Sequence, residues 1–252
     1  MTTNKLDLII QQKQLEVSEL TQQNIQPRIS SKNFKHALRS DTLSIIAEVK
    51  RKSPSKGNLA EILDPVLLAE NYINANASAI SVLTDCKFFG GSLNDLEKIA
   101  EHSKSTPVLR KDFIISPLQI DEAVGAGADA ILLIVAVLGE KTKSLLDYAK
   151  KLNIDVLLEI HNHAELSIAL ESNADIIGIN NRNLSTFEVD TQEAFNLKKL
   201  IPSTVITVAE SGILQPELAR EYYKAGFDAV LIGEALVTST NPTEFIRACR
   251  HE

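Results

Sequence analysis

Residues 126–136 read "AGADAILLIVA", a passage from small residues into an unbroken β-branched and aliphatic run. The same passage recurs as "ANASAISVLTD" at 75–85, "SNADIIGINNR" at 172–182 and "AGFDAVLIGEA" at 225–235, each reading as a helix end that leads into a buried strand. The aligned positions Ser78, Asp129, Asp175 and Asp228 lie about 50 residues apart, and each repeat unit holds one further strand-like run. These further runs are "SIIAEVKR" at 44–51, "TPVLRKDF" at 106–113, "IDVLLEIH" at 154–161 and "TVITVAES" at 204–211. Eight strands result.

Helical patterns fill the intervals, among them "DPVLLAENYINAN" from Asp64, "SPLQIDEAVGAG" from Ser116, "TKSLLDYAKKLN" from Thr142, "NHAELSIALES" from Asn162 and "QPELAREYYKAG" from Gln215. Several start with Ser, Asp or Asn near a proline and end near Gly or Asn, the cap chemistry of the two helix ends. Strands that alternate with helices pair in parallel through right-handed crossovers, and strands apolar on both faces are covered on both faces. Eight such units close a TIM (β/α)8 barrel, a fold that reaches 252 residues as one domain. An open doubly wound sheet is the competing architecture, but no G-x-G-x-x-G follows the first strand. Residues 1–43 form an N-terminal helical extension of that single domain, with Leu6, Ile9, Ile10, Leu15 and Val17 as the apolar stripe of a first helix and "SKNFKHALRS" as a second.

Composition excludes several functions. An apolar share of 44% with 23% charged residues suits a folded globular chain. A net charge of −7 argues against a general nucleic-acid binder, which needs a basic surface. No apolar run approaches the roughly 18 residues that span a bilayer, and "MTTNKLDLIIQQKQ" lacks a secretion segment, so a cytoplasmic address without membrane contact is expected. Cys86 and Cys249 stand far apart and offer neither a disulfide framework nor a zinc site. His161 and His163 are the only close histidine pair, without a carboxylate-rich partner run, and no metal site is assigned.

In a barrel of this kind the chemistry sits at the C-terminal ends of the strands. Strand one ends in Glu48 and Lys50, strand three in Arg110, Lys111 and Asp112, strand five in Glu159, strand six in Asn180 and Arg182, and strand seven in Glu210 and Ser211. Alternation puts Glu48, Lys50 and Lys52 on one side and Val49 and Arg51 on the other, with Lys111 on the side of Leu109 and Phe113. If those sides face inward, two lysines and two or three glutamates converge as acid-base equipment. A rim salt bridge is the plain alternative for any one pair; charges at five strand ends weigh against it, because burying so many is costly.

Small residues in "AESGI" at 209–213 and "LIGEAL" at 231–236 fall where this fold binds phosphate, with Ser211, Gly212, Gly233 and the N–H of Glu234 as donors. Pro54, Phe88, Phe89, Phe113 and Leu132 gather at the predicted strand tops and point to an aromatic or flat substrate.

"AEVKRKSPSKG", "LTDCKFFGGS", "PVLRKDFI", "GADAILLIV", "LLEIHNHAEL", "IIGINNRNL", "VAESGI" and "LIGEAL", in this order and spacing, resemble the indole-3-glycerol-phosphate synthase family, and "KQLEVSEL" near the N-terminus is also similar. The resemblance implies closure of 1-(2-carboxyphenylamino)-1-deoxyribulose 5-phosphate to indole-3-glycerol phosphate, with loss of carbon dioxide and water, in tryptophan biosynthesis. It implies Glu48, Lys50, Lys111, Glu159, Asn180 and Glu210 as catalytic residues. The ring would meet Pro54, Phe89, Phe113 and Leu132; Ser53, Ser211, Gly212, Gly233 and Glu234 would take the phosphate; Arg182 would hold the substrate. Lys111 is the expected first acid, and "KRKSPSKGN" the start of a lid. No metal or organic cofactor is expected, the protein is expected to be a monomer, and other tryptophan-pathway enzymes stand as candidate partners. Two rivals remain at this point: a Schiff-base aldolase using a strand-top lysine, and a non-catalytic barrel that senses a sugar phosphate.

Overall fold

The structure is a computed structural model describing residues 4–21, 26, 32–54 and 56–250. Ser55 of the expected lid, and residues 1–3, 22–25 and 27–31 of the expected extension, lie outside the described residues. Eight parallel strands close a barrel: β1 (Ser44–Val49), β2 (Ala79–Leu83), β3 (Val108–Lys111), β4 (Ala130–Ile134), β5 (Asp155–Ile160), β6 (Ile176–Asn180), β7 (Ile206–Glu210) and β8 (Ala229–Ile232), with β1 paired to β8. All eight strand-like runs fall on these strands, seven trimmed at both ends and 44–51 at its C-terminal end alone.

The repeat has a physical basis. Its second residue ends the preceding helix in the left-handed region, at φ 66° for Asn76, 82° for Gly127, 55° for Asn173 and 89° for Gly226. Glycine and asparagine are the residues that tolerate that conformation. Two residues on, three of the aligned side chains reach back to the neighbouring odd strand. Ser78 Oγ accepts from Ile45 N, Asp129 Oδ2 from Val108 N and Asp228 Oδ2 from Thr207 N. Asp175 differs, pairing with Lys35 and Lys150.

Alternation along β4 shows the layers: Ala130, Leu132 and Ile134 pack inside the barrel, while Ile131 and Leu133 pack under the helices. The helices start as expected, for example with Asp64 Oδ1 accepting from Val66 N and Leu67 N before Pro65–Asn74. A short antiparallel ladder pairs Lys52–Ser53 with Gly57–Asn58 beyond β1. Lys52 therefore leaves the side of Glu48 and Lys50, contrary to simple alternation, and its Nζ donates to Lys87 O at 2.8 Å.

The described part of the extension closes both ends of the barrel. Helix α2 (Phe34–Ala37) and the residue after it push Phe34 and Leu38 into the interior cluster, among Ile46, Ala79, Ile176 and Ala229 near the strand starts. Helix α1 (Lys5–Glu19) lays Ile9 over the opposite end, against the same cluster. Its inward stripe is not the expected one. Leu15 is 63% exposed and Val17 half-buried, whereas Lys13 is buried. Leu6, Ile9, Ile10 and Lys13 follow the helical period, and three carboxylates near the ammonium make the burial of Lys13 tolerable.

Candidate active site

A cavity of about 450 Å³ opens at the C-terminal mouth of the barrel, and all sixteen residues assigned catalytic or substrate-binding roles from the sequence line it. Phe88, placed in the apolar patch by its position, does not; the Lys87 ammonium lies 5.7 Å from its ring centroid instead. Leu6 and Ile9 of α1, with Ile134, Leu184 and Phe187, complete an apolar wall that sequence position alone did not reveal. Phe89 and Phe113 face each other with ring centroids 6.1 Å apart.

The polar half is built from strand ends. Lys111 Nζ lies 3.1 Å from Glu159 Oε2 and 3.0 Å from Glu210 Oε2, joining β3, β5 and β7 across the barrel. Burial works against the Lys111 ammonium, but Glu159, Glu210 and Glu48 more than offset it and hold the group above the ordinary lysine range. Lys50 and Glu48 form a second couple, with Nζ 2.6 Å from Oε1. Arg51 turns away to pair with Asp95, and Arg110, which does not line the cavity, pairs with Asp112 and Glu122.

Glu159 and Glu210 sit in opposite environments. Burial opposes the Glu159 anion, yet Lys111, His161 and the Asn180 side chain all favour it, and its carboxyl is held below the usual range. His161 was visible in the sequence only as half of a possible metal pair. Its Nε2 lies 3.3 Å from Glu159 Oε1 and its Nδ1 3.0 Å from Glu165 Oε2. Glu210 has only Lys111 to offset burial and the charges of Glu159 and Glu48, and its carboxyl is pushed up to about 7. Its Oε1 is buried without a hydrogen-bond partner. A carboxyl poised near neutrality beside a lysine can exchange protons with a ligand.

Glycines make room for these acids. A Cβ on Gly178 would come within 2.1 Å of Glu210 Oε1, and one on Gly233 within 2.3 Å of Glu48 Oε1. Gly233 was expected only as a phosphate donor; its bare Cα is also the space that Glu48 occupies. Asn181, absent from the sequence-based set, fixes the end of β7: its Nδ2 donates to the carbonyls of Glu210 at 2.9 Å and Ser211 at 3.1 Å. Ser211 and Gly212 follow with φ of 64° and 81°. Near them, Lys56 pairs with the Glu234 carboxylate and donates its backbone N–H to Ser53 Oγ. Arg182 lines the same side of the cavity and donates from Nη1 to Phe187 O.

Among the described residues, no group of three His, Cys, Asp or Glu side chains is arranged to hold a metal ion, and no helix is long and apolar enough to cross a membrane.

A family model described as Indole-3-glycerol phosphate synthase matches residues 2–249. The indole-3-glycerol phosphate synthase of Parafrankia sp. (strain EAN1pec) is 42% identical over 243 residues, covering 96% of this chain and 90% of the relative. That of Chlorobium phaeovibrioides (strain DSM 265 / 1930) is 45% identical over 248 residues, covering 93% of this chain and 95% of the relative. Among solved structures, 3-hexulose-6-phosphate synthase from Salmonella typhimurium superposes with a TM-score of 0.64 at 15% identity, covering 82% of this chain and 96% of that one. That likeness speaks for the barrel fold alone.

Proposed function

The chain belongs to the indole-3-glycerol phosphate synthase family, and we propose that its strand-top lysines and glutamates carry the proton transfers of that family's reaction. The enzyme is a decarboxylating lyase of tryptophan biosynthesis that acts on a phosphorylated small molecule. It converts 1-(2-carboxyphenylamino)-1-deoxyribulose 5-phosphate to indole-3-glycerol phosphate, carbon dioxide and water.

The ring rests on Phe89, Phe113, Leu132 and Pro54, while Ser53, Ser211, Gly212, Gly233 and the N–H of Glu234 receive the phosphate. Asn180 and Arg182 hold the sugar hydroxyls and the carboxylate so that the reacting carbons meet in a near-attack pose. The ring carbon that carries the carboxylate bonds to the sugar carbonyl carbon as Lys111 gives a proton to the carbonyl oxygen. The bond to the carboxylate then breaks and its electron pair returns to the ring system, releasing carbon dioxide. Closure and decarboxylation together consume one proton, the one given to the carbonyl oxygen, and Glu210, near neutrality and 3.0 Å from Lys111, reloads the ammonium. Glu159 stays anionic and stabilises the positive charge.

Dehydration is assigned to the second couple. Lys50 protonates the departing hydroxyl, and Glu48 takes the proton lost from carbon as the indole forms. With 2.6 Å between them, Glu48 can return that proton to Lys50, so the couple closes its own cycle. Before this step Lys50 anchors the substrate carboxylate.

The observation that carries this reading is Lys111 held between Glu159 and Glu210 on the floor of one cavity. It also disfavours an aldolase, because Schiff-base formation needs a free amine. The test is to add the phospho-substrate to the purified chain and follow indole fluorescence. Folded protein without an indole signal refutes the assignment, and a borohydride-trapped adduct on Lys50 or Lys111 favours the aldolase. The reading includes one domain over residues 1–252 with 1–43 as its extension, a monomer, and a cytoplasmic address.

A further inference from the structure

Lys13 opens the "KQLEVSEL" stretch, and no step of the reaction uses it. Its side chain is 2% exposed, and its Nζ lies 2.8 Å from Asp112 Oδ1, 2.9 Å from Asp85 Oδ2 and 2.8 Å from Glu16 Oε2. Burial works against the ammonium, but Asp112, Asp85 and Glu16 together hold it above the ordinary lysine range. An isolated charge at this depth would cost far more than a surface helix gains from docking, so the ion cluster is built around it.

Each of the two aspartates orients one ring of the cavity. Asp85 Oδ1 accepts from Phe88 N at 2.7 Å and Phe89 N at 3.1 Å, starting the short helix Cys86–Phe89 that delivers the Phe89 ring. Asp112 Oδ1 accepts from Phe113 N at 2.8 Å, and its Oδ2 is held by Thr84 Oγ1 and Arg110. Asp112 also follows Lys111 directly in the chain. On the other side of the cluster, Lys13 shares a helix face with Leu6 and Ile9, which roof the same cavity. One ammonium therefore ties the roof to the ends of β2 and β3, where the two rings begin.

We infer that Lys13 is a positioning residue for the aromatic half of the substrate, setting the gap between the Phe89 and Phe113 rings and the α1 roof. The inference rests on the assignment of those rings to the substrate's aromatic part. It separates the two halves of the site. The ion pairs of Lys13 are with Glu16, Asp85 and Asp112 and not with the residues assigned to the phosphate, so phosphate affinity should not depend on it.

The chain contains no tryptophan, so indole emission comes from the product alone and its change on titration with protein reports binding. Binding of indole-3-glycerol phosphate and of glycerol 3-phosphate, which lacks the ring, is measured on wild type, Lys13→Met and Phe113→Ala, with steady-state kinetics alongside. For Lys13→Met the expected result is at least a tenfold loss of affinity for the product, unchanged glycerol 3-phosphate affinity, and a KM that rises more than kcat falls. Lys13→Arg, which keeps the charge, recovers part of the product affinity. If the carboxylates left without the ammonium prevent Lys13→Met from folding, Lys13→Met/Asp85→Asn removes one charge and leaves the helix untied, and the same losses are expected. Product affinity that falls in Phe113→Ala but not in folded Lys13→Met overturns the role of Lys13 alone. Affinity unchanged in both overturns the ring assignment itself. Equal weakening of both ligands in Lys13→Met makes Lys13 a general structural support and overturns the inference.

Discussion

Gly178 leaves empty the space into which Glu210 points: a Cβ there would lie 2.1 Å from Glu210 Oε1 and 3.2 Å from Leu157 Cδ1. The two residues come from adjacent strands, β6 and β7, so neither backbone can move away without breaking the ladder between them. Gly178→Ala should therefore displace the carboxylate rather than the strand. Turnover is expected to fall by about 10² or more, the lower range for a lost acid-base group, while far-ultraviolet circular dichroism stays that of the wild type. An active Gly178→Ala protein would show that the position of Glu210 is not critical.

Lys111→Met tests the proposed first acid. Methionine fills similar volume without a proton to give, so kcat should drop by at least about 10². The variant also leaves Glu159 and Glu210 facing each other without their shared cation, and like charges at that range disfavour joint ionisation. The variant should thus unfold at a lower temperature at pH 8 than at pH 5.5, relative to wild type. Near-normal turnover would remove Lys111 from its role.

The strands are legible because a parallel strand covered on both faces is apolar at nearly every position, and the repeat supplies the helix end before it. Asn76, Gly127, Asn173 and Gly226 announce a left-handed turn in the sequence itself. The polar residues at strand ends are legible for a related reason, since in this architecture strand ends converge. Relations across the barrel are less legible. His161 reads as a stray histidine until β5 turns it beside Glu159, and Gly178 reads as strand filler until β7 brings Glu210 alongside. The burial of Lys13 is hidden in the same way. A lysine counts as polar in any periodicity, so apolar character alone runs the stripe through Leu15 and Val17, whereas two aspartates distant in sequence pull Lys13 inward.

Glu210 gives a pH signature in stability. Its carboxyl is raised from 4.5 to about 7 in the fold, chiefly by burial. Between those values the unfolded chain has released the proton and the folded chain has kept it, so this group's contribution to stability falls as pH rises from about 4.5 to 7 and is level above. Glu210→Gln removes the titration. Urea unfolding at pH 5 and pH 8 should show the variant gaining on wild type by a few kcal/mol at the higher pH, with turnover reduced. An equal stability difference at both values would refute the raised carboxyl.

His161 makes a prediction of the same sign in a higher pH window. Burial alone would lower its pKa, but Glu159 and Glu165 raise it from 6.5 to about 10. The imidazolium contribution is complete below about 6.5 and declines as pH climbs towards 10, because over that window the folded chain holds a proton that the unfolded chain has released. His161→Gln keeps a donor of similar reach without the charge. The stability gap between wild type and variant should be widest at pH 6, on the order of a few kcal/mol, and should narrow steadily through pH 8 to pH 10. The lysines and tyrosines that also titrate are common to both proteins and cancel in the difference. In the same variant Glu159 loses a cation beside Oε1, so the acid limb of kcat should move to higher pH. A constant stability gap together with an unmoved acid limb would show that His161 is neutral in the fold and that Lys111 and Asn180 suffice to keep Glu159 ionised.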